Sequence, residues 1–153
     1  MAFVAMLHSR LKARPDSEHE QAALRVMTFG LTLGYFSLAH AWRNRWSARD
    51  VDVVWALGGF LLLAVALLVA ICVHPDRDVP RRLVGMVADV AAVTWYMAIA
   101  GEFGFFAIGL YLFITLGNGF RYGRSYLFVC QCLCIAGMAA VLLFSPYWQS
   151  WRV

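Results

Sequence analysis

The sequence predicts an all-α, polytopic membrane protein with five transmembrane helices and a short amphipathic helix at its N-terminus. Hydrophobic residues make up 62% of the 153 residues, and charged residues only 14%. Continuous apolar runs approach the roughly twenty residues that a helix needs to cross a bilayer. A membrane β-barrel would instead alternate in polarity over segments of about ten residues. The chain is therefore too apolar for a soluble domain and has room for five spans with short connections.

Residues 1–15 predict a separate interfacial segment, because they place an apolar stripe among basic residues. Pro15 ends this segment, and Ser17 with Glu20 has the spacing of a helix capping box. The apolar stretch of the first ten residues precedes the basic ones, which is not the order of a secretory signal peptide. We therefore expect residues 16–153 to form one membrane domain, anchored by its own first span.

Each predicted span is an apolar run bounded by polar, aromatic or helix-breaking residues. The second span carries no charge, and the loop after it holds Pro75 and Pro80. The fourth span is short for a full crossing but rich in Phe and Gly. The spans lie at about residues 22–42, 53–73, 83–100, 103–118 and 126–144.

Basic residues indicate the expected partners and the orientation of this domain. The net charge of +4 comes from arginines and one lysine at the ends and loops, which suits anionic membrane lipids and leaves no solvent-facing surface for nucleic acid. With the N-terminus inside, nine basic residues fall on the cytoplasmic side and four outside. The count therefore favours a cytoplasmic N-terminus.

The four cysteines predict buried free thiols, since all of them lie within or at the end of apolar runs. On a helix Cys130 and Cys134 share a face while Cys132 points away. This spacing is poor for a tetrahedral metal site and lacks a second ligand pair. We therefore expect neither a metal nor a cofactor.

Asp89 needs the most explanation, because it interrupts the third apolar run. A carboxylate at mid-helix costs about 2.5–3.5 kcal/mol on insertion scales, so it usually has a partner or a function. If the third and fourth spans form a hairpin, antiparallel pairing brings Asn118 and Arg121 within reach of Asp89. We predict a polar cluster of these three residues near one membrane face, and with Glu102 and Tyr122 they are the candidate switch residues. The alternative is that Asp89 only holds helices together or stays protonated.

Five short pieces follow one another along the sequence: DSEHEQ before the first span, RRLVGMVAD at the third, Gly101-Glu102, GNGFRYGRSYL, and SPYW at the end. Together they resemble the N-terminal membrane input domain of the RpfC-type sensor histidine kinases. The resemblance covers the chain from Asp16 to Trp148, and the ordered set is specific although each piece alone is weak.

The resemblance implies a receptor for diffusible signal factor, a family of medium-chain cis-2-unsaturated fatty acids used in bacterial quorum sensing. It implies a homodimeric hybrid kinase of a two-component system in the bacterial inner membrane, whose kinase, receiver and phosphotransfer domains lie outside these 153 residues. The chain would then be a sensory input domain and not itself an enzyme.

The resemblance also assigns ligand binding to the segment before the first span. The residues that match the family pattern are Asp16, Ser17, Glu18, His19 and Gln21, whereas Glu20 departs from it. The family places this segment outside the cell, which conflicts with the arginine count. By its residues alone, the segment is also compatible with an ordinary capped helix start, or with recognition of a protonated acid.

Two other classes of function compete with a sensor. A transporter or proton-coupled protein centred on Asp89 is the main alternative, although Glu102 is about 20 Å away along the same helix, too far for an acid/base pair. A haem protein would need two facing histidines within the spans. The four histidines instead lie before the first span or at opposite membrane faces.

Overall fold

The structure of the chain is a computed structural model, which describes residues 18–43, 46–74, 76, 78–100 and 104–150. Five of the described helices are long and apolar enough to cross a membrane, which confirms the predicted helical membrane fold. The interfacial segment 1–15 lies outside the described residues, as do Asp16, Ser17 and Glu102. In chain order the helices are α1 Glu18–Arg43, α2 Ala48–Val73, α3 Val79–Ala100, α4 Gly104–Tyr122, α5 Arg124–Phe144 and the short α6 Pro146–Gln149.

Polar residues extend several helices beyond their apolar parts. α2 begins at Ala48 instead of about residue 53, because Ser47 and Asp50 form a capping box ahead of the apolar run. Ser47 Oγ accepts a hydrogen bond from the Asp50 N–H at 3.2 Å, and Asp50 Oδ2 accepts one from the Ser47 N–H at 2.8 Å. α4 likewise continues to Tyr122, four residues past its predicted end at Asn118.

The chain divides into two compact units, residues 1–81 and 82–153. In the first unit, α1 packs against α2. Phe29 stacks on Phe60 with ring centroids 5.6 Å apart, and an added Cβ at Gly30 would lie 4.0 Å from Leu61 Cδ1. Most residues of α1 are exposed or half-buried. Their apolar side chains are therefore available to lipid.

His40 joins the end of α1 to the start of α2. Its Nδ1 lies 2.9 Å from the Phe36 carbonyl and donates to it, because a carbonyl can only accept. Its Nε2 lies 3.4 Å from Asp50 Oδ1. The ring also stacks on Phe36, with centroids 4.1 Å apart. These contacts hold the two helices together at their connection.

The second unit packs α3 from Arg82 onward, α4 and α5 around its own core, which α6 completes. α4 and α5 are joined at Gly123, whose φ of +98° is a conformation that favours glycine. The buried core residues are Met86, Val90, Val93, Met97, Ala107, Tyr111, Cys130, Cys134, Val141 and Trp148.

α6 satisfies backbone groups in the last turn of α3. Trp148 Nε1 donates to the Met97 carbonyl, and Ser145 Oγ donates to the Ala98 carbonyl, both at 3.0 Å. These carbonyls are among the final four of α3, which have no partner within their own helix. Trp148 is only 4% exposed and packs on Phe105. The segment after α5 therefore adds a residue to the core.

Three helices of the second unit meet at a close polar contact. Thr94 of α3 donates to the Val90 carbonyl at 2.7 Å, so its oxygen accepts the Tyr111 hydroxyl of α4 at 2.6 Å. Gly137 of α5 packs against both oxygens. A Cβ added to Gly137 would lie 2.5 Å from Thr94 Oγ1 and 2.7 Å from the Tyr111 oxygen. Glycine is the residue that fits this position without displacing its neighbours.

We expect Gly137→Ala to destabilise the second unit by about 1–3 kcal/mol, because the added methyl group overpacks the Thr94–Tyr111 contact. Gly109→Ala is the matched control, since a Cβ there meets nothing within 4 Å and alanine favours a helix. Thermal unfolding in detergent should therefore show a lower midpoint for G137A than for G109A. In the double variant T94A/Y111F, which lacks both oxygens, the added G137A substitution should cost less stability. An equal loss of stability there would show that the close contact is not the cause.

Candidate functional site

Glu18 and Arg81 form a buried ion pair that joins the start of α1 to the start of α3. Arg81 Nε donates to Glu18 Oε1 at 2.7 Å, and Arg81 Nη2 donates to Glu18 Oε2 at 3.1 Å. The contact is bidentate, the geometry in which a guanidinium best matches a carboxylate. The side chains of Arg81 and Glu18 are 6% and 4% exposed, so the surrounding solvent screens little of their attraction.

The Arg81 guanidinium also holds the connection between α2 and α3. Its Nη1 donates to the His74 carbonyl and its Nη2 to the Asp76 carbonyl, both at 2.8 Å. Glu18 lies in the first turn of α1, where the helix dipole favours a negative charge. The buried cation thus has two bonds to a carboxylate and two to backbone carbonyls. Loss of either charge would leave the other buried and unpaired, which is costly.

The segment that the resemblance assigns to ligand binding is described from Glu18 onward. The carboxylate of Glu18 is engaged by Arg81. His19 is half-buried, and its Nδ1 has no hydrogen-bond partner among the described residues. Glu20 is exposed, whereas Gln21 is half-buried and makes a contact of its own. A paired carboxylate and a buried imidazole nitrogen therefore lie on neighbouring residues, and their role in ligand binding stays a prediction.

Asn118 lies near the thiol of Cys130. Asn118 is 1% exposed, and its Nδ2 donates to the Ile114 carbonyl at 2.9 Å. The same nitrogen is 4.0 Å from Cys130 Sγ. Asp89 is half-buried and takes part in at least one further polar interaction. Asn118 is thus placed beside one buried sulfur, and the polar cluster of Asp89, Asn118 and Arg121 stays a prediction.

Arg121 and Tyr122 lie at the end of α4. Arg121 is exposed. Tyr122 lies beneath the Arg82 guanidinium, whose carbon is 4.6 Å from the ring centroid, a distance typical of a cation–π contact. Glu102 lies outside the described residues. The role of these residues as a switch stays a prediction.

Buried thiols occupy the contact between α4 and α5. Thr115 Oγ1 lies 3.5 Å from Cys134 Sγ and 3.8 Å from Cys130 Sγ. Cys132 is exposed and Cys72 is half-buried, so the expectation of four buried thiols is wrong for these two, whereas all four cysteines are free, as predicted. Within the part of the chain that the structure describes, no three His, Cys, Asp or Glu side chains are grouped to hold a metal ion.

Arg81 is the site residue that sequence reasoning misses. By sequence it is one of two arginines at the edge of an apolar run, where such side chains usually reach for lipid head groups. The order of the spans could have indicated this pair, because the first and third of several alternating spans begin at the same membrane face. A carboxylate and an arginine at those two starts can therefore meet.

The chain is similar in sequence to a known bacterial regulatory protein. It is 34% identical over 146 residues to the sensory/regulatory protein RpfC from two strains of Xanthomonas campestris pv. campestris. The match covers 94% of this chain and 20% of RpfC, so the chain spans about a fifth of its relative's length. No family model matches the sequence, and no solved structure matches it.

Removal of either charge of the Glu18–Arg81 pair should destabilise the first unit by about 3–5 kcal/mol, because the remaining charge stays buried. We expect Glu18→Gln and Arg81→Gln to lower the thermal unfolding midpoint in lipid nanodiscs. Glu20→Gln is the matched control, since Glu20 lies in the same helical turn but is exposed.

A double-mutant cycle separates the pair from other effects of each substitution. The variant E18Q/R81Q should lose less stability than the two single variants together, because it leaves no unpaired charge. Losses that simply add would contradict a direct interaction between the two side chains.

Proposed function

We propose that this RpfC-like chain is the membrane sensory input domain of a sensor histidine kinase in a two-component system. The observation that carries the proposal is its similarity to RpfC along 94% of its length. The kinase, receiver and phosphotransfer domains of such a receptor belong to the proposal, since the match covers only a fifth of RpfC. The chain itself would carry no catalytic step. It would pass the state of its helices to a cytoplasmic kinase core, as a homodimer in the bacterial inner membrane.

The proposed signal is a medium-chain cis-2-unsaturated fatty acid of the diffusible signal factor family. Its carboxylate is the same chemical group as the Glu18 side chain, which Arg81 holds in a bidentate contact. A ligand carboxylate that replaced Glu18 would keep the guanidinium paired, so the exchange avoids the cost of an unpaired buried charge. His19 follows Glu18 directly, and its buried Nδ1 would offer the ligand a second polar contact. The proposed ligand-binding segment contains Asp16, Ser17, Glu18, His19 and Gln21.

This exchange would give the receptor two states. A ligand shifts the balance between two states only through its different affinity for them. Arg81 would bind the ligand only in the state in which Glu18 has left it, and departure of Glu18 would release the start of α1. The second proposed switch element is Asp89 with Asn118, because α3 carries both Arg81 at its start and Asp89 within its length.

Arg81→Lys tests the exchange in the full-length receptor, because lysine keeps the charge but loses the bidentate geometry. We expect the concentration of a cis-2-unsaturated medium-chain fatty acid needed to change autophosphorylation to rise at least tenfold. Arg124→Lys is the matched control, since Arg124 is exposed at the start of α5. The methyl ester of the same acid, which has no carboxylate, should act weakly on both variants and on the wild type. A wild-type response of R81K to the acid would contradict the exchange.

Asp89→Asn tests the second element in the same assay. We expect it to reduce the signal-dependent change in autophosphorylation, while Asp52→Asn, at an exposed position of α2, leaves it intact. An unchanged response would remove Asp89 from the signalling mechanism. Proton uptake by proteoliposomes that Asp89→Asn abolishes would instead support a proton-coupled transporter.

A further inference from the structure

The second unit has a groove between α3 and α5 that the proposed sensory mechanism does not use. Its volume is about 600 Å³, within the range of roughly 300–1,000 Å³ that is common for small-molecule sites. Small side chains such as Ala91 and Ala136 line it together with larger apolar ones such as Trp95 and Phe144. Because Ala91, Ala136 and Phe144 are exposed, the groove opens at the surface of the unit.

The two hydroxyl groups that line the groove already have hydrogen-bond partners. Thr94 donates to the Val90 carbonyl and accepts from Tyr111, and Ser145 donates to the Ala98 carbonyl. A ligand that brought unpaired polar groups into this space would leave them without their bonds to water. The groove therefore favours an apolar chain.

The length of the groove matches one leaflet of a bilayer. Its lining residues run from Val87 to Ala98 on α3 and from Leu133 to Phe144 on α5. Eleven residue steps on each helix correspond to about 16 Å, and half of a hydrocarbon core is about 15 Å thick. Ser145, which follows the end of α5, lines one end of the groove. The groove thus extends from one membrane face to about the bilayer centre.

We infer that this groove binds one acyl chain of a membrane phospholipid, with the head group at the Ser145 end. Phospholipid chains are the apolar molecules that surround transmembrane helices, and their extent within one leaflet equals the length of the groove. A helix segment of the same length, with a diameter of about 10 Å, would occupy about twice the groove's volume. The space therefore fits a lipid chain better than a helix from a second copy. A bound chain would stabilise the packing of α3 against α5, because it binds the folded state.

Native mass spectrometry of the chain, released from phosphatidylglycerol nanodiscs, tests this inference. We expect the wild type to retain one lipid per chain. Ala136→Phe and Ala140→Phe fill the groove and should reduce that retained fraction at least tenfold. Ala139→Phe is the matched control, since Ala139 is exposed on the same helix but does not line the groove. Ala91→Phe fills the groove from α3, so the test does not depend on how α5 tolerates substitution.

Equal lipid retention in the wild type, the groove-filling variants and the control would overturn the inference. So would displacement of the retained lipid by a free medium-chain fatty acid, which would make the groove a fatty-acid site. A dimer of chains that the groove-filling variants disrupt would also overturn it, because the groove would then hold a second copy. None of these measurements uses kinase output, so a failure of the proposed sensory function would leave them unaffected.

Discussion

A buried charge needs a partner of opposite charge. In this protein Glu18 and Arg81, which are 63 residues apart in the chain, are partners of each other. The same guanidinium binds the carbonyls of His74 and Asp76. The start of α1, the connection after α2 and the start of α3 therefore share one electrostatic centre. Buried ion pairs often add little net stability compared with apolar packing, yet the loss of one partner is severe. While it stays intact, such a pair fixes how the segments that it joins lie against one another.

The five transmembrane helices follow from the sequence because each is a continuous apolar run of sufficient length. Their ends do not, since a helix can continue through polar residues. The capping box of Ser47 and Asp50 begins α2 before its apolar part. The contact of Thr94, Tyr111 and Gly137 is also hidden in the sequence, because it depends on how three helices are rotated about their own axes. Periodicity shows which residues share a face but not which neighbour that face meets.

The candidate site is predictable in part for the same reason. Asp89 and Asn118 are single polar residues within or at the end of apolar runs, and the structure places Asn118 near Cys130. Glu18 belongs to the segment that the family resemblance assigns to ligand binding, but its pairing with Arg81 is not visible in either local sequence. A pair so distant in the chain requires knowledge of which helix starts are neighbours. Arg121 is exposed in the structure, so its contribution to the polar cluster rests on the sequence argument.

The bonds from Ser145 and Trp148 to the end of α3 make the segment after the fifth transmembrane helix part of the second unit's packing. Ser145 and Trp148 lie beyond the fifth transmembrane helix, yet they donate to carbonyls of the third. A chain truncated directly after Phe144 would keep all five spans but would leave the Met97 and Ala98 carbonyls without these donors and the core without Trp148. A fragment meant to retain this core therefore has to include four residues that add almost nothing to hydropathy.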